Sequence, residues 1–438
     1  MKPSWLAALS ILFLPQSAQA ATDVMAEPAA VYAVKPGDNL YTLATRYLVR
    51  VSDAGRVQRL NQIPNPRRLP IGRTLTIPAE WLRSEPLVAR LIAYSGPVTV
   101  RGPGAGALAR DMEIREGFEL STAANAFLTF ELPDGSRTTL PSQSRIRIDR
   151  LRRVLLTGAI QRDLRILQGR SSSVVTPITE PASRLRILTP LSVSAVRGTE
   201  FRVSHDATAD RSTLEVIDGR VAGSAGDALA ESLVVAGFGA ATTAAGMSAP
   251  QALLSRPTLR NASRLQDDPQ VSFEVQGLVG AAAYRAQVAI DAGFTDIIAE
   301  TTATEPKLVF DGIINGTFFA RFTAIDGGSL EGIPATYAFE RRLNALGLDP
   351  PASMGGAKRQ YLFKWRSSGG GAESFRFTLA KDADGSGAVI DEAGLSQGQI
   401  VVTDLPPGVY FWRVLVSRRE DGKLFEKWSQ PQRFEIGG

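Results

Sequence analysis

Between residues 32 and 48 the chain reads YAVKPGDNLYTLATRYL. Its apolar positions Leu40, Leu43, Ala44 and Tyr47 fall at i, i+3, i+4 and i+7, one face of a helix. Asp38 or Asn39 stands where an N-cap side chain would take up the first free N–H groups. Before it, Tyr32-Ala33-Val34 predicts a short strand turned by Pro36-Gly37. A second short helix is expected from Ser52 or Asp53, carrying Val57 and Leu60 and ending near Asn61. The stretch IPNPRRLPIGRTLTIP then supplies a proline-broken loop and a strand from Thr74 to Ile77. The expected order is strand, helix, helix, strand.

From about Leu87 the pattern changes to short apolar alternations broken by glycine, such as GPVTVRG, AFLTFELPDGSRTTL, LSVSAVRGTEFRVS and TLEVIDGRVAGS. Runs of this kind with no helical period predict an all-β region. Asp134-Gly135 and Asp218-Gly219 sit between alternating runs and predict hairpins. Residues 244–268 lose the alternation and hold Pro250 and Pro257, as a linker or wrapped connector would. The chain then repeats itself. YRAQVAIDAGFTDIIAE from Tyr284 matches FRFTLAKDADGSGAVIDE from Phe375, and DGIINGTFFARFTAID from Asp311 matches DLPPGVYFWRVLVS from Asp404. Two copies of one β-sandwich unit are expected, with Tyr410, Trp412 and Trp428 in the core of the second.

At 438 residues and 44% hydrophobic composition, the chain has material for three or four domains. Residues 1–20, MKPSWLAALSILFLPQSAQA, carry Lys2, an apolar run from Trp5 to Leu14, and Ala18-Gln19-Ala20, a small-x-small cleavage pattern. They predict a removed secretory signal and a periplasmic location. Pro15 ends the run short of the roughly 20 residues a membrane span needs, so no span is expected after signal removal. The absence of cysteine excludes disulfides, lipid-modified cysteine and thiol chemistry.

The net charge of +5 is unevenly spread: Arg145, Arg147, Arg150, Arg152, Arg153, Arg162, Arg165 and Arg170 face only Asp149 and Asp163 within that stretch. Such a stripe could meet an anionic polymer or lipid headgroups. The alternation in RIRIDRLRRVLL favours instead the solvated face of a half-buried strand. Nucleic acid is not an expected partner of an exported chain.

Residues 31–78 resemble a lysin motif (LysM) domain. The resemblance rests on Tyr32, Val34, Gly37, Asp38, Leu40, Ala44, Tyr47, Leu60-Asn61, Ile63, Asn65, Leu69, Gly72, Leu75 and Ile77-Pro78. It implies binding of N-acetylglucosamine-containing polymers, here peptidoglycan, and so association with the cell wall. By family analogy the groove lies between Gly37, Asp38, Asn39 and Leu40 on one loop and Ile63, Pro64, Asn65, Pro66 and Leu69 on the other. Family members often carry Thr or Ser where this chain has Asn39.

Residues 87–243 resemble the FecR-type periplasmic domain through FELSTAANAFLTFELPDGSRTTLPSQSRIRI, TPLSVSAVRGTEFRV and TLEVIDGRVAGS. That implies stacked short strands outside the inner membrane. Some FecR-type proteins relay an outer-membrane signal to a sigma factor through a cytoplasmic segment and a membrane helix. In this chain a cleavable signal and the LysM-like module stand in their place. Within this region Arg197 and Glu200 flank Gly198 as if to pair across a turn. Residues 269–343 and 350–438 are expected as sandwiches, the second resembling a fibronectin type III or immunoglobulin-like domain through LPPGVYFWRV and KWSQPQRFEI. The expected fold class is therefore multidomain and mainly β: a small βααβ module, a domain of stacked strands, and two sandwiches.

DADGSG, Asp382 to Gly387, matches the first half of a calcium loop, but the twelfth position is Ala393 instead of a bidentate Glu, which favours a polar hairpin turn. His205 is the only histidine, which leaves no two-histidine zinc site. Its setting, RVSHDATADRST, predicts a surface loop with no nucleophile elbow nearby. No catalytic residue, metal or cofactor is expected. Three readings follow: a non-catalytic wall-bound scaffold presenting its β domains to an envelope partner, an envelope signalling component, and a wall-remodelling enzyme.

Overall fold

The computed structural model describes residues 29–178, 180, 183–226, 230–260, 263–355, 359–420 and 422–437. The secretory segment expected at residues 1–20 lies outside them. No helix among the described residues is long and apolar enough to cross a membrane.

The first module has the expected order. Strand β1 (Ala30–Ala33) pairs antiparallel with β2 (Thr74–Ile77), with Tyr32 opposite Leu75. Helix α1 (Leu40–Tyr47) buries Leu40, Leu43 and Ala44, the stripe its sequence carries. Asn39 is the cap: its Oδ1 accepts from Thr42 N–H at 2.9 Å, while Thr42 Oγ1 accepts from Asn39 N–H in return. A 3₁₀ turn at Val51–Asp53 leads into α2 (Ala54–Leu60). Asn61 closes that helix and clamps the next strand, donating to the Thr76 carbonyl at 2.8 Å and accepting from Thr76 N–H at 2.7 Å. The module's core extends beyond it and takes in Val154 and Ala159 of the following domain.

That domain is built from two sheets sharing one long strand, Ile160–Val174. Its first half pairs with Arg145–Val154 and, in parallel, with Arg184–Leu188; its second half pairs with Glu200–Asp206 and Arg137–Leu140. Gly169 lies within it at φ +77°, where an added Cβ would stand 2.4 Å from the Gln143 carbonyl, so only glycine lets the strand pass from one sheet to the other there. Between the sheets lie Leu91, Phe130, Ile146, Ile148, Leu164, Phe201 and Val216, all with no exposed surface. Asp134-Gly135 joins a true hairpin, Phe127–Glu131 with Arg137–Leu140. Asp218-Gly219 does not. Arg211–Asp218 pairs with Glu200–Asp206 and Phe238–Thr243, whereas Arg220–Ala225 pairs with Ser192–Val196 and Ser232–Val235 in the other sheet. The turn is tight, but sheet packing outweighs local pairing and sends the chain across the core.

Over Arg145–Val154 the arginine stripe is a solvated strand face, as its alternation indicated, with Ile146 and Ile148 buried and the arginines exposed or half-buried; Arg162, on the neighbouring strand, is instead buried at 1% exposed. Each guanidinium has a carboxylate partner. Arg145 pairs with Glu119, Arg147 and Arg165 with Asp149, Arg150 with Asp163, Arg152 with Glu116, Arg153 with Glu85, Arg162 with Asp134 and Arg170 with Glu331. The partners that the local sequence omits arrive from distant strands.

The described part of the connector expected at residues 244–268 pairs with the domains on either side. Gln251–Ala252 pairs with the Phe238–Thr243 strand, and Leu265–Gln266 pairs in parallel with Glu340–Arg341. Two sandwiches follow. In the first, Ala281–Ala289 pairs with Ile297–Ala303 and Gly316–Asp326; in the second, Ala372–Ala380 pairs with Ala388–Leu395 and Gly408–Glu420. Those are the segments that match in sequence. Tyr410 and Trp412 are fully buried. Trp428 is not in the core: it is 37% exposed, with the Arg413 guanidinium 4.4 Å over its ring. It lies in Lys423–Trp428, which pairs with only one strand and leaves its outer face to solvent.

Candidate functional site

In the first module the two expected groove loops meet. Leu40 N–H, at the start of α1, donates to the Pro66 carbonyl at 2.9 Å. Each loop is also fixed from within. Gly37 takes φ +88°, the left-handed turn that needs glycine. The Asp38 carboxylate accepts from the Tyr32 hydroxyl at 2.7 Å and from Lys35 N–H at 2.8 Å. Burial and the Asp38 carboxylate push the Tyr32 hydroxyl up to about 12, so the phenol stays a donor at any physiological pH. On the second loop Asn65 Oδ1 accepts from Arg67 N–H at 3.0 Å. Ile63 and Gln58 hold one another reciprocally: Ile63 N–H donates to the Gln58 carbonyl and Gln58 Nε2 to the Ile63 carbonyl, each at 3.0 Å.

The nine expected site residues thus divide. Leu40, Ile63 and Leu69 are core residues, 2%, 4% and 8% exposed, and form the floor that holds the loops. Gly37, Pro64 and Asn65 are exposed, and Asp38, Asn39 and Pro66 half-buried. Asp38 is occupied by its own loop. Asn39 and Asn65 each commit Oδ1 to the fold and keep an Nδ2 donor. A polar ligand would meet the backbone of Gly37 and of residues 64–65, those amide donors, and the proline faces.

One candidate escaped the sequence reading. Tyr41 is 68% exposed on the first turn of α1, directly after Leu40. An aromatic ring held in water next to the first loop offers an apolar face to a ring-shaped ligand. Its signal was present, since Tyr41 lies off the apolar stripe of α1 where a helix normally carries a polar side chain. Arg67 and Arg68 are also exposed beside Asn65, and neither has an ion-pair partner among the described residues.

Elsewhere the chemistry-bearing residues are engaged. His205 is not on a surface loop. It is 5% exposed within Glu200–Asp206, its Nδ1 3.1 Å from Ser212 Oγ, because the strand continues through the polar stretch and pairs His205 with Ser212. Ser212 has no exposed surface and donates to Thr189 Oγ1 at 2.8 Å, so this histidine–serine pair is closed to any substrate. In the DADGSG turn, Ser386 N–H donates to Asp384 at 2.8 Å and Ser386 Oγ to Asp382 at 3.3 Å. The Arg413 guanidinium lies against Gly385, where a Cβ would come within 2.3 Å of it. A cation already neutralises that loop.

Comparison with known proteins places two families on these regions. The LysM domain family matches residues 32–78 and the FecR protein family residues 118–222. No curated protein matches the chain. Among solved structures it is similar to a candidate anti-sigma factor from Parabacteroides distasonis, at 14% identity and a TM-score of 0.26 over 31% of this chain and 59% of that one. It is also similar to the FN1–FN3 domains of chicken CNTN1, at 9% identity and a TM-score of 0.23 over 56% and 94%. A third similarity is to fibronectin(III)-like modules of Clostridium thermocellum CbhA, at 12% identity and a TM-score of 0.18 over 40% and 90%. The chain spans less than two thirds of the Parabacteroides protein.

Proposed function

We propose that this protein is a non-catalytic, wall-bound component of the cell envelope. The LysM domain would hold an N-acetylglucosamine-containing glycan such as peptidoglycan, and the FecR domain and sandwiches would present surfaces to an envelope protein. The observation that carries the reading is the Leu40 N–H bond to the Pro66 carbonyl, which sets two rigid loops side by side within the matched LysM region. An N-acetyl sugar needs backbone-like donors and acceptors for its amide and an apolar surface for its methyl and ring. The loop backbones, the Asn39 and Asn65 amides, Pro64 and Tyr41 supply that set. Export to the periplasm fits both families and the amino-terminal sequence.

A second reading, an envelope sensor that passes a signal to a membrane protein, is favoured by the FecR match over residues 118–222. A wall-remodelling enzyme is the third. The closed His205–Ser212 pair and the binding or regulatory character of the matched families argue against it.

Co-sedimentation with purified peptidoglycan sacculi tests the scaffold reading, using the full chain from Ala21, a chain lacking residues 21–80, and a full-length Tyr41→Ala/Asn65→Ala variant. Pelleting of the full chain alone supports wall anchoring through the groove. A full chain that stays in the supernatant removes the anchor and leaves signalling as the better account. Release of soluble muropeptides by the full chain would mark an enzyme.

A further inference from the structure

A second cleft lies where the FecR domain meets the first sandwich, and nothing in either family match accounts for it. It encloses about 390 Å³. One wall is formed by Thr129, Thr139, Ser172 and Glu200 of the FecR domain, the other by Phe294 and Arg321 of the sandwich. The two walls are fixed to each other: Thr129 Oγ1 donates to the Thr295 carbonyl at 2.6 Å, and Phe127 packs with Phe294 and Ile297 in a shared apolar cluster. Phe294 sits at φ +52°, a left-handed backbone that a bulky residue rarely adopts. The Asp291 carboxylate stabilises that turn by accepting from Thr295 N–H at 3.1 Å and Asp296 N–H at 2.8 Å. The strained turn puts the Phe294 ring 4.3 Å under the Arg321 guanidinium.

Arg321 is held from one side. Its Nε and Nη2 both donate to Gln287 Oε1, at 3.2 and 2.6 Å, and leave Nη1 for another partner. Among the described residues no carboxylate lies within ion-pair distance of it, and no cation within that distance of Glu200. Arg137, the other cation of the cleft, is already paired with Glu131 at 3.2 Å. Burial, and behind it the charges of Arg202 and Arg285, push the Arg321 guanidinium down to about 10, which still leaves it charged at neutral pH. A preformed cavity therefore contains one unpaired cation and one unpaired carboxylate that stand beyond ion-pair distance of each other, together with hydroxyl groups able to donate or accept.

We propose that this cleft binds the zwitterionic end of an amino acid or short peptide, with Arg321 taking the carboxylate, Glu200 the ammonium, and Thr139 and Ser172 the remaining hydrogen bonds. A simple anion would face Glu200 and a simple cation would face Arg321. A neutral sugar would leave both charges desolvated and unpaired, which is costly. Only a ligand carrying both charges satisfies the pair, and the volume admits one or two residues. The site is independent of the glycan groove and does not rest on that groove's function.

Calorimetric titration of the full chain with D-alanyl-D-alanine and with meso-diaminopimelate, each up to about 10 mM, tests the proposal. Saturable binding of at least one is expected, weakened at least about tenfold when every amino group of the ligand is acetylated or every carboxyl group amidated. Glu200→Gln should abolish discrimination against the acetylated form, and Arg321→Gln discrimination against the amidated one. A muropeptide with a free diaminopimelate end separates the sources: competition by it points to the wall, and binding of the free dipeptide alone to a soluble peptide. The proposal is overturned if neither zwitterion binds, or if the blocked forms bind as well as the free ones. The blocked-ligand comparison uses the unmodified chain and so decides the matter even if a variant fails to fold.

Discussion

Arg202 of the FecR domain and Glu331 of the first sandwich meet in a buried contact across the domain boundary. Arg202 Nη1 lies 3.0 Å from Glu331 Oε1, and Arg202 Nη2 donates to the Glu331 and Gly332 carbonyls at 2.7 Å each. Around the same carboxylate, Arg285 Nη1 donates at 2.8 Å, Thr323 Oγ1 at 2.7 Å, and Arg170 completes the set. A carboxylate this enclosed is tolerated because every lone pair has a donor. The cluster ties the FecR domain to the first sandwich, so the two walls of the cleft beside it are held together.

Glu331 and Glu215 are both buried in this cluster, yet substitution should affect them oppositely. Glu331 faces three arginines, and the Glu331→Gln variant leaves Arg170 without its carboxylate and Arg202 and Arg285 with only Glu215 and Glu300. A loss of about 3–5 kcal/mol is expected, as for other broken buried pairs. Burial dominates at Glu215 and raises its carboxyl above the usual range, even though Arg202 and Thr213 favour its charge. Glu215→Gln is isosteric with the protonated form and should be neutral or stabilising. Urea denaturation of the three proteins at pH 7 checks the ordering, and a Glu215→Gln loss as large as that of Glu331→Gln would contradict it.

Acid should separate the domains before it unfolds either core. The arginines hold the Glu331 carboxyl well below its ordinary value of 4.5 despite burial. Its folded-state value is depressed, so its contribution is complete above about 4.5 and is lost as pH falls through the folded value. Glu215 has the reverse sign: its raised folded-state value means that its ionised form opposes folding at neutral pH, and protonation on the way down relieves that cost. Thermal stability should therefore hold or rise slightly from pH 7 toward 5 and fall steeply below about 4. In the Glu331→Gln variant the steep acid limb should flatten, as differential scanning calorimetry would show.

Local periodicity made much of this legible. The stripe of Leu40, Leu43 and Ala44 and the alternation of Ile146 and Ile148 each specify which face is buried, because side-chain direction follows directly from helix and strand geometry. Pairing partners are a different matter. Asp218-Gly219 encodes a turn but not which sheet receives the next strand. Nothing in the sequence around Glu331 indicates that three arginines from distant strands converge on it. Glu200 was expected to pair with nearby Arg197; it lines the interdomain cleft instead, with no ion-pair partner among the described residues. In the groove, the motif located the loops, but the assignment of Leu40, Ile63 and Leu69 to the floor required their burial.

Two of the three tryptophans of the last sandwich, Trp412 and Trp428, should differ sharply. Trp412 has no exposed surface and packs edge-on against Phe363, with ring centroids 5.2 Å apart. Trp412→Ala is expected to cost about 3–5 kcal/mol. Trp428→Ala removes a half-exposed ring and its stacked Arg413 and should cost about 1 kcal/mol. Chemical denaturation monitored by the remaining tryptophan fluorescence distinguishes the two.

The LysM module should depend on its neighbour for stability. Leu48 and Leu82 are bridged, Arg83 N–H donates to the Tyr47 carbonyl at 2.7 Å, and Leu155 N–H donates to the Arg83 carbonyl at 3.0 Å, which brings Val154 and Ala159 into the module's core. Ala159 is 2% exposed, so Ala159→Asp would bury a charge against Leu82 and the helices. The melting of the amino-terminal module should fall in that variant, while Asn39→Ala, which removes only the cap of α1, should cost about 1 kcal/mol. Tyr41→Ala should leave the melting unchanged, because its ring is exposed, and should weaken pelleting with sacculi. Hydrogen exchange over residues 30–77 resolves these cases: faster exchange throughout the module in Ala159→Asp, faster exchange confined to α1 in Asn39→Ala, and no change in Tyr41→Ala. Exchange in Ala159→Asp that stayed as slow as in the parent would mean that the module folds independently of the domain it touches.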